Sequence, residues 1–277
     1  MPITFRAAGL TLALSVCSGA ALFAQASINE VLTRHGIVVK GGIASAFDTH
    51  AVPTTPVTPG ALAAPLASLT AGKGGEQING AYAFGVLAGR SGRAASAQEL
   101  AAAGVSLVQM VGSEDRRARL AGTRVAGRIF AAPYDRSGVS PALPAGLVDA
   151  LFAVLNRDAE VDQLIAMEAL GLIRERSAMP SLTERYYFYR EQNKRSLAGG
   201  ALEAIARIGD GNAAAIVKQA AGDAFAQGKD ATALAVAFAR ERVLQDGSIA
   251  VIQQALDDRS RRDQARGYLA ELGAPVP

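Results

Sequence analysis

Side chains that usually carry catalysis are almost absent from most of this chain. Between Gly60 and Pro277 there is no histidine and no cysteine. Nucleophilic catalysis of the serine–histidine or cysteine–histidine type needs a histidine as base, and zinc is usually held by histidine and cysteine. We therefore predict a protein that is not an enzyme and uses no cofactor or metal ion. His35 and His50 lie in a Gly- and Pro-rich stretch, where we interpret them as solvated; a metal-binding pair is the alternative.

Two pairs of adjacent carboxylates are the next candidates for chemistry. They are Glu114-Asp115 and Asp257-Asp258, and each stands just before a predicted helix. Negative charge at a helix N-terminus is stabilised by the helix dipole, so we interpret both pairs as dipole partners. Use as metal ligands or as an acid and base remains the alternative.

Arginines recur near one face of a predicted helix. Arg117, Arg124 and Arg128 have the spacing that places side chains near each other on a helix surface. One interpretation is a solvated face paired with acids. The other is a patch that binds an anion or an acidic partner, and we retain these three arginines as candidate partner-binding residues.

An aromatic run is the most unusual local feature. The run YYFYR covers Tyr186, Tyr187, Phe188, Tyr189 and Arg190 and holds three of the six tyrosines. Helical spacing allows the first and fourth aromatic residues to be buried together while the two between them point elsewhere. Packing between helices and a contribution to a binding surface both remain possible, because aromatic side chains are enriched at protein interfaces.

The elements that position these residues are helices in a repeated arrangement. The stretches Ala166–Leu182 and Ala201–Val217 follow one pattern, an alanine-rich helix, a polar turn and a second helix, 35 residues apart. A fixed period of this kind is typical of stacked-helix proteins. The pattern predicts five helix pairs and a final capping helix over 260–272, with the pairs formed by 79–89 and 96–111, 113–129 and 147–155, 161–173 and 178–189, 201–208 and 213–220, and 231–244 and 248–256.

The stretch Ala166–Leu182 and the later turn Ile208-Gly-Asp210 resemble HEAT repeats, in particular the short variety named after phycobilisome lyases. The resemblance implies an all-α fold, a right-handed α-solenoid or superhelix of about five HEAT-like pairs. It also implies a scaffold that binds another protein through its repeat surface. An enzyme or enzyme accessory of the chromophore-lyase kind is the alternative that the resemblance suggests.

The N-terminal residues indicate export. Arg6, an apolar run over 7–23 and the small residues of Ala24-Gln-Ala26 are typical of a secretory signal peptide, so we predict cleavage before Ser27 and a periplasmic or secreted protein. Retention as a membrane anchor, or lipid attachment at Cys17, is the alternative. After cleavage we expect no stable membrane span.

The mature chain is predicted to have two parts. Residues 27–75, rich in Gly, Pro and Thr, form a flexible, mostly extended segment, and residues 76–277 form the repeat domain. In 76–277, 24 Lys and Arg residues face 23 Asp and Glu residues. This balance disfavours nucleic acid as a partner, because no net positive field would hold the phosphates. We therefore expect the partner to be another protein.

Overall fold

The computed structural model describes residues 28–48, 53–58, 60–134, 139–223, 226, 228 and 230–275. Within these residues the regular structure is helical and contains no strand, which confirms the all-α class. The predicted signal peptide, residues 1–26, lies outside the described part, as does His50. No helix that the structure describes is long and apolar enough to cross a membrane. The chain divides after Ala88 into two compact units.

The first unit contains four helices, of which the first three lie where the sequence predicts a flexible, mostly extended segment and the fourth overlaps the predicted helix over 79–89. They are α1 (residues 28–34), α2 (Ile43–Asp48), α3 (Ala63–Ala71) and α4 (Gly75–Ala88). Helices α2 and α3 both pack against α4, and the rings of Phe47 and Tyr82 lie 5.3 Å apart. Residues 76–88, predicted as part of the repeat domain, therefore belong to the same compact unit as α2 and α3. Apolar side chains such as Leu32 and Leu69 form the core of this unit, which the high glycine and proline content of the sequence did not suggest.

His35 also differs from its predicted solvated state. Its side chain is buried, and its Nδ1 lies 3.4 Å from the hydroxyl oxygen of Thr55. The backbone N–H of Thr54 donates to the carbonyl oxygen of His35 at 3.0 Å. The Pro- and Thr-rich stretch is thus held against the end of α1 by hydrogen bonds.

The second unit contains ten α-helices among its described residues. They are α5 (Ala97–Val111), α6 (Arg116–Ile129), α7 (Leu147–Leu155), α8 (Glu160–Leu172), α9 (Met179–Glu191), α10 (Arg195–Ile208), α11 (Ala213–Gly222), α12 (Ala231–Leu244), α13 (Ile249–Gln254) and α14 (Arg262–Leu272). Ser96 and Glu99 have the Ser-x-x-Glu spacing that predicts a capping box, and helix α5 begins there, with each side chain accepting a hydrogen bond from the other residue's backbone N–H. Local capping chemistry thus sets this boundary.

The helices of the second unit pair in a different register from the predicted one. Helix α5 packs against α6, α7 against α8, α9 against α10, and α11 against α12. The sequence pattern predicts instead the pairs α6 with α7, α8 with α9, α10 with α11, and α12 with α13. Of these, α10 with α11 and α12 with α13 also pack together. A repeat period fixes the spacing of helices but does not show which of two successive helices shares the larger interface. Helices α13 and α14 follow, and α14 packs against both α12 and α13.

Small residues bring successive even-numbered helices close together. Helices α6, α8, α10 and α12 pack in that order, each against the next. A Cβ atom built on Gly127 of α6 would lie 2.9 Å from the Cα atom of Ala169 on α8. One built on Gly171 of α8 would lie 2.7 Å from the Cα atom of Ala204 on α10. Only glycine permits these backbone approaches, so Gly127 and Gly171 make equivalent contacts at two consecutive helix–helix interfaces.

Candidate functional site

The structure divides the aromatic run on α9 between packing and exposure. Tyr186 and Tyr189 are buried, as helical spacing allowed. The Tyr186 hydroxyl donates to Oδ2 of Asp223 at 3.2 Å, and the Tyr189 hydroxyl donates to Oε1 of Gln163 on α8 at 2.9 Å. Burial, followed by the charge of Asp223, raises the pKa of Tyr186. Both tyrosines therefore anchor α9, and Tyr186 stays neutral at ordinary pH.

The other residues of the run face outward to different degrees. The Phe188 side chain is 53% exposed, and its ring meets that of Tyr189 edge to face at 5.6 Å. The Tyr187 hydroxyl donates to Oε1 of Gln219 at 2.9 Å. Arg190 forms an ion pair of 3.3 Å with Asp223, and its guanidinium carbon lies 5.4 Å from the centroid of the Tyr187 ring. Phe188 is thus the exposed apolar centre of a surface whose polar rim is already held in place.

The three predicted arginines of α6 lie in different environments. Arg117 is exposed in the first turn, whereas Arg124 and Arg128 are half-buried. The backbone N–H of Arg117 donates to Oδ1 of Asp115 at 3.0 Å, so Asp115, predicted as a partner of the helix dipole, is also the N-cap of α6. The three arginines therefore do not form one uniform solvated face. Arg128, in the last turn, belongs instead to a group of charged side chains that the sequence did not indicate.

We define the charged cluster as the residues of the second unit that interact around Arg207. Arg207 is buried on α10, and its Nε lies 3.0 Å from Oε2 and 3.3 Å from Oε1 of Glu271 on α14. Its Nη1 lies 3.1 Å from Oε2 of Glu203. A second guanidinium, that of Arg90, approaches Oε1 of Glu271 at 3.6 Å. The charged cluster comprises Arg90, Arg128, Glu168, Glu203, Arg207, Tyr268 and Glu271.

Burial and pairing set the charge states inside the charged cluster. Burial acts to raise the pKa of Glu271, but the guanidinium groups of Arg207 and Arg90 outweigh it and hold that pKa below its usual range. Burial raises the pKa of Glu203, although Arg207 opposes the shift. Burial acts to lower the pKa of Arg207, but Glu271 and Glu203 raise it overall. Glu271 is therefore the firmly ionised partner of Arg207.

Aromatic rings close the charged cluster on the side of α12 and α14. The rings of Phe238 and Tyr268 stack with centroids 4.3 Å apart, and the guanidinium carbon of Arg207 lies 5.2 Å from the Phe238 centroid. Burial, followed by the charge of Glu203, raises the pKa of Tyr268 well above its usual range. The Tyr268 hydroxyl therefore remains protonated, and it accepts a hydrogen bond of 2.7 Å from Gln264. These contacts hold α14 through specific polar and aromatic interactions.

One part of the charged cluster left a signal in the sequence. Arg207 and Arg242 occupy equivalent places near the ends of α10 and α12, 35 residues apart, and both lie beside Phe238. Arg242 donates from Nε to the backbone oxygen of Ala206 at 3.2 Å. Such a basic residue in the last turn complements the helix dipole. Glu271 had no comparable signal, because its partners Arg90 and Arg207 are distant in sequence.

Neither a search for metal ligands nor comparison with known proteins identifies a further site or a family. Among the described residues, no group of three or more His, Cys, Asp or Glu side chains could hold a metal ion. No family model matches the chain, and no curated protein matches it.

Proposed function

We propose that this chain is a HEAT-like α-solenoid that serves as an exported, non-catalytic scaffold and binds another protein through its repeat surface. The observation that carries the proposal is the packing of α6, α8, α10 and α12, each against the next. Equivalent glycine contacts at Gly127 and Gly171 make two of these interfaces alike. Repetition of one helix–helix contact is the physical basis of a solenoid, and such arrays bind partners over extended surfaces.

The surface we assign to the partner is centred on α9. Phe188 offers an exposed apolar ring, and Tyr187 and Arg190 lie beside it in the run. Their hydrogen bonds and ion pair to Gln219 and Asp223 restrict these side chains before binding. Pre-ordered side chains lose less conformational entropy on association, and aromatic residues with arginine are the types enriched at interface centres.

Replacing Phe188 with Ala is expected to reduce partner binding at least about tenfold with little change in stability, because the ring is exposed and would be desolvated only in the complex. The measurement is affinity capture from the cell-envelope fraction, followed by titration with the recovered protein. Val251→Ala, an exposed apolar residue on α13, is the matched control and should bind as the unaltered chain does. Reproducible failure to recover a stoichiometric protein would count against the scaffold function. Equal binding by the two variants would contradict the assignment of partner binding to the α9 surface.

The exported form is expected to begin at Ser27. The small residues at Ala24 and Ala26 fit a signal peptidase, which would remove the apolar run. Mass spectrometry of the protein purified from its native source checks the N-terminus. A cytoplasmic protein that retains Met1 would contradict export and would require a different partner compartment.

A further inference from the structure

The exposed side of α9 carries two carboxylates, one on each side of Phe188. Glu184 lies four residues before Phe188 and Glu191 three residues after it, and all three side chains are exposed. Residues with these spacings are neighbours on one face of a helix, and the two acids are about 10 Å apart along the helix axis. An exposed apolar ring thus lies between two negative charges.

These two carboxylates have no partner within the part of the chain that the structure describes, where neither forms a hydrogen bond or an ion pair. The basic residues of α9 are engaged elsewhere. Arg185 donates from Nη1 to the Tyr189 hydroxyl at 3.0 Å and from Nη2 to Oδ1 of Asn156 at 2.8 Å. Arg190 forms its ion pair with Asp223 at 3.3 Å. Helix α9 therefore supplies no cation for its own exposed acids.

The position of Glu191 strengthens the preference for a cation. Glu191 is the last residue of α9, and the helix dipole places partial negative charge at that end. A positive group from outside would be attracted by the carboxylate and by the dipole together. A negative group would be repelled by both.

We propose that the α9 surface binds a segment of a protein partner in which an apolar side chain lies between two basic ones. The apolar side chain would cover the Phe188 ring, and lysine or arginine would pair with Glu184 and Glu191. The choice of a protein rests on the proposed scaffold function, and the charge of the segment goes beyond it. Complementary charges at the rim of an interface mainly select the partner and speed its association, so an acidic segment would be rejected.

Three fluorescent, alanine-rich helical peptides test this assignment against the full mature chain by anisotropy at low ionic strength. Each carries one leucine between two identical residues placed seven positions apart, which are lysine, glutamine or glutamate. The lysine peptide is expected to bind about threefold to tenfold more tightly than the glutamine peptide, and the glutamate peptide most weakly. Added salt should reduce the preference for lysine, because it screens exposed charges.

Substitutions on α9 then locate the preference. Glu184→Gln combined with Glu191→Gln should remove the preference for lysine and leave binding of the glutamine peptide within about twofold. Asp257→Asn combined with Asp263→Asn removes the same charge at exposed positions near the C-terminus, so it is the matched control and should keep the preference. Glu184→Lys combined with Glu191→Lys should reverse it in favour of the glutamate peptide.

Equal binding of the three peptides, no binding of any, or equal loss of the preference in the α9 variant and its control would overturn the basic segment. Phe188→Ala should weaken all three peptides, and unchanged binding would contradict the apolar contact. Thermal unfolding of each variant shows whether its fold is retained. The scaffold function is decided separately, since capture of a stoichiometric protein that Phe188→Ala impairs would support it whatever the charge of the bound segment.

Discussion

Glu271→Gln is expected to destabilise the second unit by about 3–5 kcal/mol, the usual cost of removing one member of a buried ion pair. The remaining ion-pair partner of the Arg207 guanidinium would then be Glu203, whose pKa is already raised by burial. Arg90 would lose the same carboxylate. Urea unfolding followed by circular dichroism measures the change in the free energy of unfolding. The appropriate control is Glu184→Gln on the exposed side of α9, which should change it by less than about 0.5 kcal/mol.

The same variant should alter the dependence of stability on pH. Because the pKa of Glu271 is lowered by folding, its contribution is fully present above the ordinary value of 4.5 and is lost as pH falls below it. Glu203 acts in the opposite direction, since its raised pKa makes stability fall as pH rises above that ordinary value. Without Glu271, the acid loss of stability should become shallower. If Glu271→Gln left unchanged both the loss of stability at acid pH and the urea concentration of half-unfolding at neutral pH, that outcome would contradict this account of the charged cluster.

Gly171→Ala is expected to cost about 1–3 kcal/mol, because the added methyl group would meet the backbone of α10. Its Cβ atom would lie 2.7 Å from the Cα atom of Ala204, a contact that no side-chain rotation can relieve. The two helices must therefore separate, which loosens the contact between α8 and α10. Thermal and urea unfolding of the purified chain measure the loss.

Gly267→Ala provides a control of opposite sign for this steric argument. Gly267 lies inside α14, and a Cβ atom built there meets no heavy atom within 4 Å. Alanine at such a position should stabilise the helix by about 0.5–1 kcal/mol, because glycine loses more conformational entropy on folding. Stabilisation by both substitutions would show that α8 and α10 do not approach as closely as described.

Local patterns predicted the helices of the second unit well. The spacing of Ser96 and Glu99 predicts the capping box that begins α5. Pro180 predicts a helix start at the place where α9 begins, because a missing N–H does least harm in the first turn. The helical spacing on α9 predicts that Tyr186 and Tyr189 are buried together while Phe188 points elsewhere. These features depend on residues within one or two helical turns, so the sequence displays them directly.

The predictions from sequence were wrong where contacts between residues far apart in the chain decide the structure. Glycine and proline near His35 suggested an extended segment, but Leu32, Phe47 and Leu69 bury enough apolar surface to order three helices. The choice of helix partners depended on tertiary packing rather than on the period. Arg128 was selected from its place on a helix face, whereas the ion pairs of Glu271 with Arg207 and Arg90 join elements that share no sequence pattern.

The ion pair between Arg90 and Glu271 bears on how the second unit loses its structure. In a simple array each repeat contacts only its neighbours, so that an end can fray while the remainder stays intact. Here Arg90 follows the first residue of the unit and Glu271 lies in its last α-helix, yet their charged atoms are 3.6 Å apart. Opening either end leaves a half-buried guanidinium or a buried carboxylate without this partner. The two ends are thereby coupled, which favours all-or-none unfolding over the loss of one helix pair at a time.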